Sequence, residues 1–221
     1  MIASELISEA IPCLKTSDTG EKALLWMDTY RISHLPVVNN EEFLGLVSDN
    51  DVLDHNCLSD PIGFHKLSQI KPFVFDSQHI FEVIEIVDNL RISVVPVLDK
   101  NRHFLGVITK KDLVFAFVKM VNINKSGAII VLEMNIHDYS LSQIAQIVES
   151  NNIKILSLFM SASTDTTKMN ITLKVDTTDI SPVLQTFSRY NYSVVAYFLS
   201  EENTQAHLAS RFDSFMNYLN M

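Results

Sequence analysis

The sequence predicts an α+β protein: a duplicated unit of β-α-β-β-α type, then a smaller β-α-β-β-α-β domain, then a helix. Three observations predict this. RISHLPVV (31–38) and RISVVPVL (91–98) match at Arg, Ile, Ser, Pro and Val. FLGLVSDNDVL (43–53) and FLGVITKKDLV (104–114) repeat in the same order, with one extra residue in the second turn. Beyond Gly127 the pattern changes to strands and helices of a different order, with clean alternation in KMNITLKV (168–175).

Each copy opens with a short extended stretch, IPCLK or KPFVF. A helix follows. In the first copy Asp18 and Glu21 read as a capping box ahead of Ala23, Leu24 and Met27. In the second, Ser77 reads as the N-cap of a helix whose Ile80, Val83, Ile84 and Val87 form one apolar stripe. LPVV and VVPVL are short, β-branched and apolar, as buried strands are. A polar turn, NNEE or DKNRH, leads to a second strand, FLGLV or FLGVI, and so to a hairpin. The closing helix of each copy starts at Ser48 or Thr109.

VNINKSG (121–127) is polar and reads as a linker. GAIIVLEMN is a strand. SLSQIAQIVES is a helix with Ser140 and Gln143 as a capping box and Leu141, Ile144, Ile147 and Val148 on one face. IKILSLFMS is a strand and TDTT a turn. In KMNITLKV, Met169, Ile171, Leu173 and Val175 face one side. TTDISPVLQTFSRY is a helix with Pro182 in its first turn, and SVVAYFL is the last strand. In the tail, Leu208, Phe212, Phe215, Met216 and Leu219 share one face of an amphipathic helix. The expected divisions are therefore 1–60, 61–122, 127–200 and 201–221.

Composition narrows the function classes. Apolar residues make up 47% and charged residues 19% of 221 residues, ordinary for a globular chain. Net charge is −9, and only Lys110 and Lys111 form a small basic spot, so nucleic acid is not an expected partner. No apolar run reaches the roughly 18 residues of a membrane helix. MIASELISEA lacks a signal-peptide pattern, and Cys13 and Cys57 are scattered thiols, so a cytoplasmic setting is expected. There is no GxxxxGK[ST], GxGxxG or GxSxG. The seven histidines never fall at i, i+4, and no CxxC occurs, so neither a metal site nor an enzyme is expected. His34 reads as a packed core histidine.

The two hairpin-to-helix corners carry the remaining chemistry. Ser48 with Asp51, and Thr109 with Asp112, have the spacing of a capping box, and an acid in a first helical turn suits the macrodipole. Asp is shorter than the usual Glu or Gln and is expected to close the reciprocal box less well.

The Pro-Val strands, the Gly45 and Gly106 strands and the S/T-x-x-D corners together resemble a tandem pair of CBS domains, the Bateman module, over roughly 1–120. The element order of 127–200 resembles an ACT domain, and the whole is similar to the acetoin-utilisation regulatory proteins. Many ligand-binding ACT domains carry Asp-x-Pro-Gly after the first strand. Here HDYSL keeps Asp138 without the Pro-Gly, so this domain is expected to pair subunits rather than to sense an amino acid.

The CBS resemblance implies a regulatory protein that binds an adenosine-containing ligand between the two copies and signals to a partner by conformational change. Asp51 and Asp112 would accept from ribose hydroxyls, and Ser48, Thr109 and the helix N–H groups would face phosphate. Leu35–Pro36 and Val95–Pro96 would wall the adenine. Lys110 adds charge at the second corner, where the first has Asp49; Thr16 and Asp18 are further candidates. The resemblance leaves the ligand open among AMP, ADP, ATP, a cyclic dinucleotide and S-adenosylmethionine, requires no cofactor, and implies a homodimer with an unidentified protein partner. The alternative is an interaction module with empty clefts, its motifs serving as helix caps.

Overall fold

The computed structural model describes residues 1–54, 58–64 and 71–199. The chain divides into two compact units, the first Met1–Phe117 and the second beginning at Val118. The tail helix expected over 201–221 lies outside the described residues, as do His55, Cys57 and His65.

In the first unit, α1 (Gly20–Tyr30) leads into the hairpin of β1 (His34–Asn39) and β2 (Glu42–Ser48), then α2 (Asp49–Leu53). The second copy runs β3 (Val74–Phe75), α3 (Ile80–Leu90), the hairpin of β4 (Val94–Leu98) and β5 (Phe104–Thr109), and α4 (Lys110–Met120). β3 pairs parallel with β4. Its counterpart in the first copy is a single bridge between Leu14 and Val37.

Both hairpins break register at the same place. Val37 faces Gly45 and Val38 faces Phe43, which leaves Leu44 extra; Val97 faces Gly106 and Leu98 faces Phe104, which leaves Leu105 extra. A bulge repeated at matched positions is a feature of the fold rather than a local defect. The repeated Arg has a structural reason too. Arg31 and Arg91 each stop the preceding helix in the left-handed conformation, at φ of 55° and 54°. Each reaches back to an acid three residues earlier, Asp28 at 2.7 Å or Asp88 at 3.2 Å. These exposed pairs add little stability, so the stop itself is what the position supplies.

Two expected caps are corrected. Thr19, not Asp18, caps α1, its Oγ1 accepting from the Lys22 N–H at 3.3 Å. Asp18 instead accepts from the Lys15 N–H at 2.8 Å and the Lys22 ammonium at 2.6 Å. Burial works to raise its pKa, but these bonds prevail and hold it below the usual carboxylate value. His79, not Ser77, caps α3 through Nδ1, and Glu82 closes the box onto the His79 N–H at 3.0 Å.

The first eight residues pair with the second copy. Ala3 and Ser4 donate to the carbonyls of Gln78 and Asp76, and Ser8 donates to that of Val107. The segment after α2 does the same for the first copy: Gly20 and Glu21 donate to the carbonyls of Asp60 and Leu58, and Gly63 donates to that of Thr16. The second copy is thus finished by a segment that precedes the first, and the first copy by the segment that follows its own α2.

The second unit contains β6 (Ala128–Asn135), α5 (Leu141–Glu149), β7 (Ile155–Ala162), β8 (Lys168–Val175), α6 (Ser181–Arg189) and β9 (Ser193–Leu199). The antiparallel sheet has the order β7-β8-β6-β9, the split arrangement that the element order predicts. Its core joins Ile130, Leu132, Ile171 and Leu173 to Ile144, Ile147 and Val148 of α5 and Val183 and Phe187 of α6. Leu141, expected on the core face of α5, is 51% exposed at the helix start. Ser140 caps α5 as expected, but Gln143 does not close a box; its side chain accepts from the Tyr192 hydroxyl at 2.8 Å.

Candidate functional site: the paired hairpin-to-helix corners

Each corner is a closed two-residue ring of hydrogen bonds. The Ser48 N–H and hydroxyl both donate to Asp51 Oδ2, at 2.9 and 2.6 Å, and the Asp51 N–H donates to Ser48 Oγ at 3.1 Å. Thr109 and Asp112 repeat this at 3.1, 2.6 and 3.1 Å. Asp therefore closes the reciprocal box fully, against the expectation that its shorter side chain would not. In each corner only Oδ2 is engaged. Among the described residues Oδ1 of Asp51 and of Asp112 accepts no hydrogen bond.

The corners lie near a local twofold relation between the copies. The Ser33 N–H donates to Ser93 Oγ at 3.0 Å, and Phe43 stacks on Phe104 with ring centroids 6.4 Å apart. Residues that meet their own repeat counterparts lie close to the axis relating the copies. The Asp49 N–H donates to the Ser33 carbonyl and the Lys110 N–H to that of Ser93, so Asp49 and Lys110 are equivalent. His34, read from sequence as a core residue, is half-buried at this junction. Its Nδ1 accepts from the Ser93 N–H at 3.3 Å and lies 3.2 Å from Ser93 Oγ. Burial depresses its pKa; Asp49 and Asp51 oppose the shift and Lys110 adds to it. The ring is thus within electrostatic reach of Asp49 and Asp51 in its own copy and of Lys110 in the other.

Other candidates are placed differently. Leu35 and Val95 are fully buried, and Pro36 and Pro96 are buried beside them, so their side chains belong to the core and only strand backbone is left to face a ligand. Thr16 bonds to Asn39, through its N–H at 3.3 Å and its Oγ1 at 2.9 Å. Asn39 ends β1, whereas Ser48 pairs with His34 at its start. Five residues of strand, about 17 Å, separate Thr16 from the Ser48 corner. Thr16, with Asp18 two residues on, thus stands away from that corner. A hollow of about 420 Å³ opens beside Ser33 and Asp49, lined also by Leu24, Met27, Arg31 and Ile32. None of the expected ligand residues lines it, and no sequence signal marks it.

The second unit has its own hollow, of about 410 Å³, lined among others by Asn135, Asp138, Gln143 and Tyr192. Asp138 is engaged by Asn135 Nδ2 at 2.7 Å. Among the described residues no group of His, Cys, Asp and Glu is arranged to hold a metal, and no helix is long and apolar enough to cross a membrane.

The family profile of the CBS domain matches residues 3–56 and 67–119. The first half of this chain is a tandem pair of CBS domains. An inosine-5'-monophosphate dehydrogenase of Methanocaldococcus jannaschii is 29% identical over 114 residues, covering 50% of this chain and 22% of that enzyme. The chain thus spans less than a quarter of that relative's length. A crystallised CBS domain pair/ACT domain protein from Thermotoga maritima is similar at 22% identity over 54% of this chain and 98% of its own, with a TM-score of 0.49. A protein named CBSX2, crystallised in complex with AMP, is similar at 22% identity over 53% of this chain and 96% of its own, with a TM-score of 0.45.

Proposed function

We propose that this CBS pair is a regulatory sensor that binds an adenine nucleotide in the cleft between its two copies and passes the signal to a partner chain. The observation that carries the reading is the half-used carboxylate. Oδ2 of Asp51 and of Asp112 is tied down by the cap, which fixes the side chain. Oδ1 is left to accept, and a held, acceptor-only oxygen suits a ribose hydroxyl. The second corner is the better phosphate site. α4 has eleven residues against five in α2, its N-terminus carries the fuller dipole, and Lys110 stands where Asp49 would repel an anion. A bound nucleotide would favour one arrangement of the two copies over another. The reading places the protein in the cytoplasm as a homodimer, with a regulatory rather than catalytic role.

A second reading has its own observation: the same Oδ2 bonds make each motif a complete helix cap, which is reason enough for the residues. The module would then serve pairing alone. Thermal melts with AMP, ADP, ATP and S-adenosylmethionine separate the two. The sensor raises the melting temperature with at least one adenine nucleotide, and Asp112→Ala abolishes that rise while the variant still folds. Melts unmoved by all four compounds would leave the cap reading standing.

A further inference from the structure

We propose that the second unit pairs with the same unit of a second copy of this chain, the open faces of their sheets packing against each other. The inference rests on the homodimer in the reading above and names the surface that makes it. α5 and α6 share a core with Ala128, Ile130 and Leu132, on one face of the sheet. Residues paired across neighbouring strands share a face, so the register identifies the other. Its middle row joins Phe159, Thr172, Val131 and Ala196, and the next row joins Ser157, Lys174, Ile129 and Phe198. The solvated face of an antiparallel sheet is normally polar. This one is apolar along β6 and β9, and Phe198 is 59% and Phe159 is 39% exposed.

Area and charge favour a second copy as the occupant. Eight-residue strands such as β6, β7 and β8 span about 27 Å, and four strands side by side span about 19 Å, which gives about 500 Å² of face. Two such faces bury about 1,000 Å², where specific interfaces begin. The middle row carries no charge. The charged residues of this face, Lys174, Glu133 and Lys168, stand in the rows to either side of it, as in an interface with an apolar centre and a polar rim. Glu133 lies one row beyond Val131, paired with Asn170, and Lys168 bonds to it at 2.9 Å. Lys174, one row to the other side, has no ion-pair partner among the described residues. A twofold axis crossing the strands at the Val131 row sets each copy's Lys174 row over the other's Glu133 row, a self-complementary match. An axis along the strands would set lysine row over lysine row.

The test is the mass of the full chain in solution, by size exclusion with light scattering across a dilution series. The expected mass is that of two chains. Val131→Glu, at the centre of the face, and Phe198→Lys, at an exposed position that leaves the core side untouched, are each expected to raise the dissociation constant at least tenfold while the second unit still melts cooperatively. If Val131→Glu does not fold, Phe198→Lys decides. Leu141→Glu, on the helix side, is expected to remain a dimer. Folded variants of the sheet face that stay dimeric would overturn this surface and leave the homodimer standing, and so would dissociation by Leu141→Glu. A wild-type chain that runs at the mass of one copy would overturn both. Nucleotide sensing is judged separately, by the melts above.

Discussion

The Ser33 N–H donates to the Ser93 hydroxyl at 3.0 Å, and the two serines hold the same place in the two CBS copies. The contact is not returned in kind. Ser93 donates its N–H to His34 Nδ1, whereas the second copy has Val94 at the matching position. The junction is thus symmetric in backbone and asymmetric in chemistry, with one titratable ring on one side.

That ring gives a pH dependence. Burial lowers the pKa of His34 in the fold, with Lys110 assisting and Asp49 and Asp51 opposing. The unfolded chain then binds the proton more readily, so acidification favours unfolding. The contribution of His34 is complete above its unfolded value, about 6.5, and is lost as pH falls from there through the folded pKa. Urea melts of the protein and of His34→Asn across pH 5–8 should differ in slope below about pH 6.5 and run parallel above it.

Ser48 and Asp51 hold each other, so their deletions should not add. Ser48→Ala and Asp51→Ala are each expected to cost about 0.5–2 kcal/mol, as lost caps do. The double variant should cost clearly less than the sum, because either change already breaks the ring. Denaturant melts of the four proteins in the cycle measure the coupling, and strict additivity would contradict the ring.

Gly127 is required by close approach. Its φ is 146°, and an added Cβ would stand 1.9 Å from the Val175 carbonyl oxygen. Gly127→Ala must move β6 away from β8 at the head of the sheet. A loss of about 1–3 kcal/mol is expected, read as a lower melting temperature of the second unit.

Phe187 is fully buried and meets Tyr192 edge to face, with ring centroids 5.6 Å apart. Phe187→Ala should cost about 3–5 kcal/mol through the cavity it leaves. Because it lies in the second unit's core, its effect should appear in that unit's unfolding; tryptophan fluorescence of Trp26, in the first unit, is the control that should stay unchanged.

Much of this architecture was legible in the sequence because it is periodic. The hairpins, the stripe of α3 and the alternation in β8 are local patterns, and the duplication confirms each copy by the other. The caps were less legible. SDT and DSQH each offer several acceptors in a row, and the choice fell to Thr19 and His79; Asp18 had been drawn off by Lys15 and Lys22, a competition no spacing rule displays. Leu141 fell on the apolar stripe of α5 yet stands at its first turn, beyond the reach of the core. The S/T-x-x-D spacing located both corners, but the contact of His34 with Ser93 depends on how the copies meet. Thr16 sits near its own hairpin in sequence and meets β1 at Asn39, the end of the strand away from Ser48.

The strap of residues 3–8 bears on how this half of the chain comes into being. Ala3, Ser4 and Ser8 find their hydrogen-bonding partners only when residues as far along as Gln78 and Val107 have left the ribosome, so this segment is among the last parts of the unit to settle. A cut between the copies would strip the second of its finishing segment. Evolution and engineering alike must therefore move, trim or borrow the two repeats together.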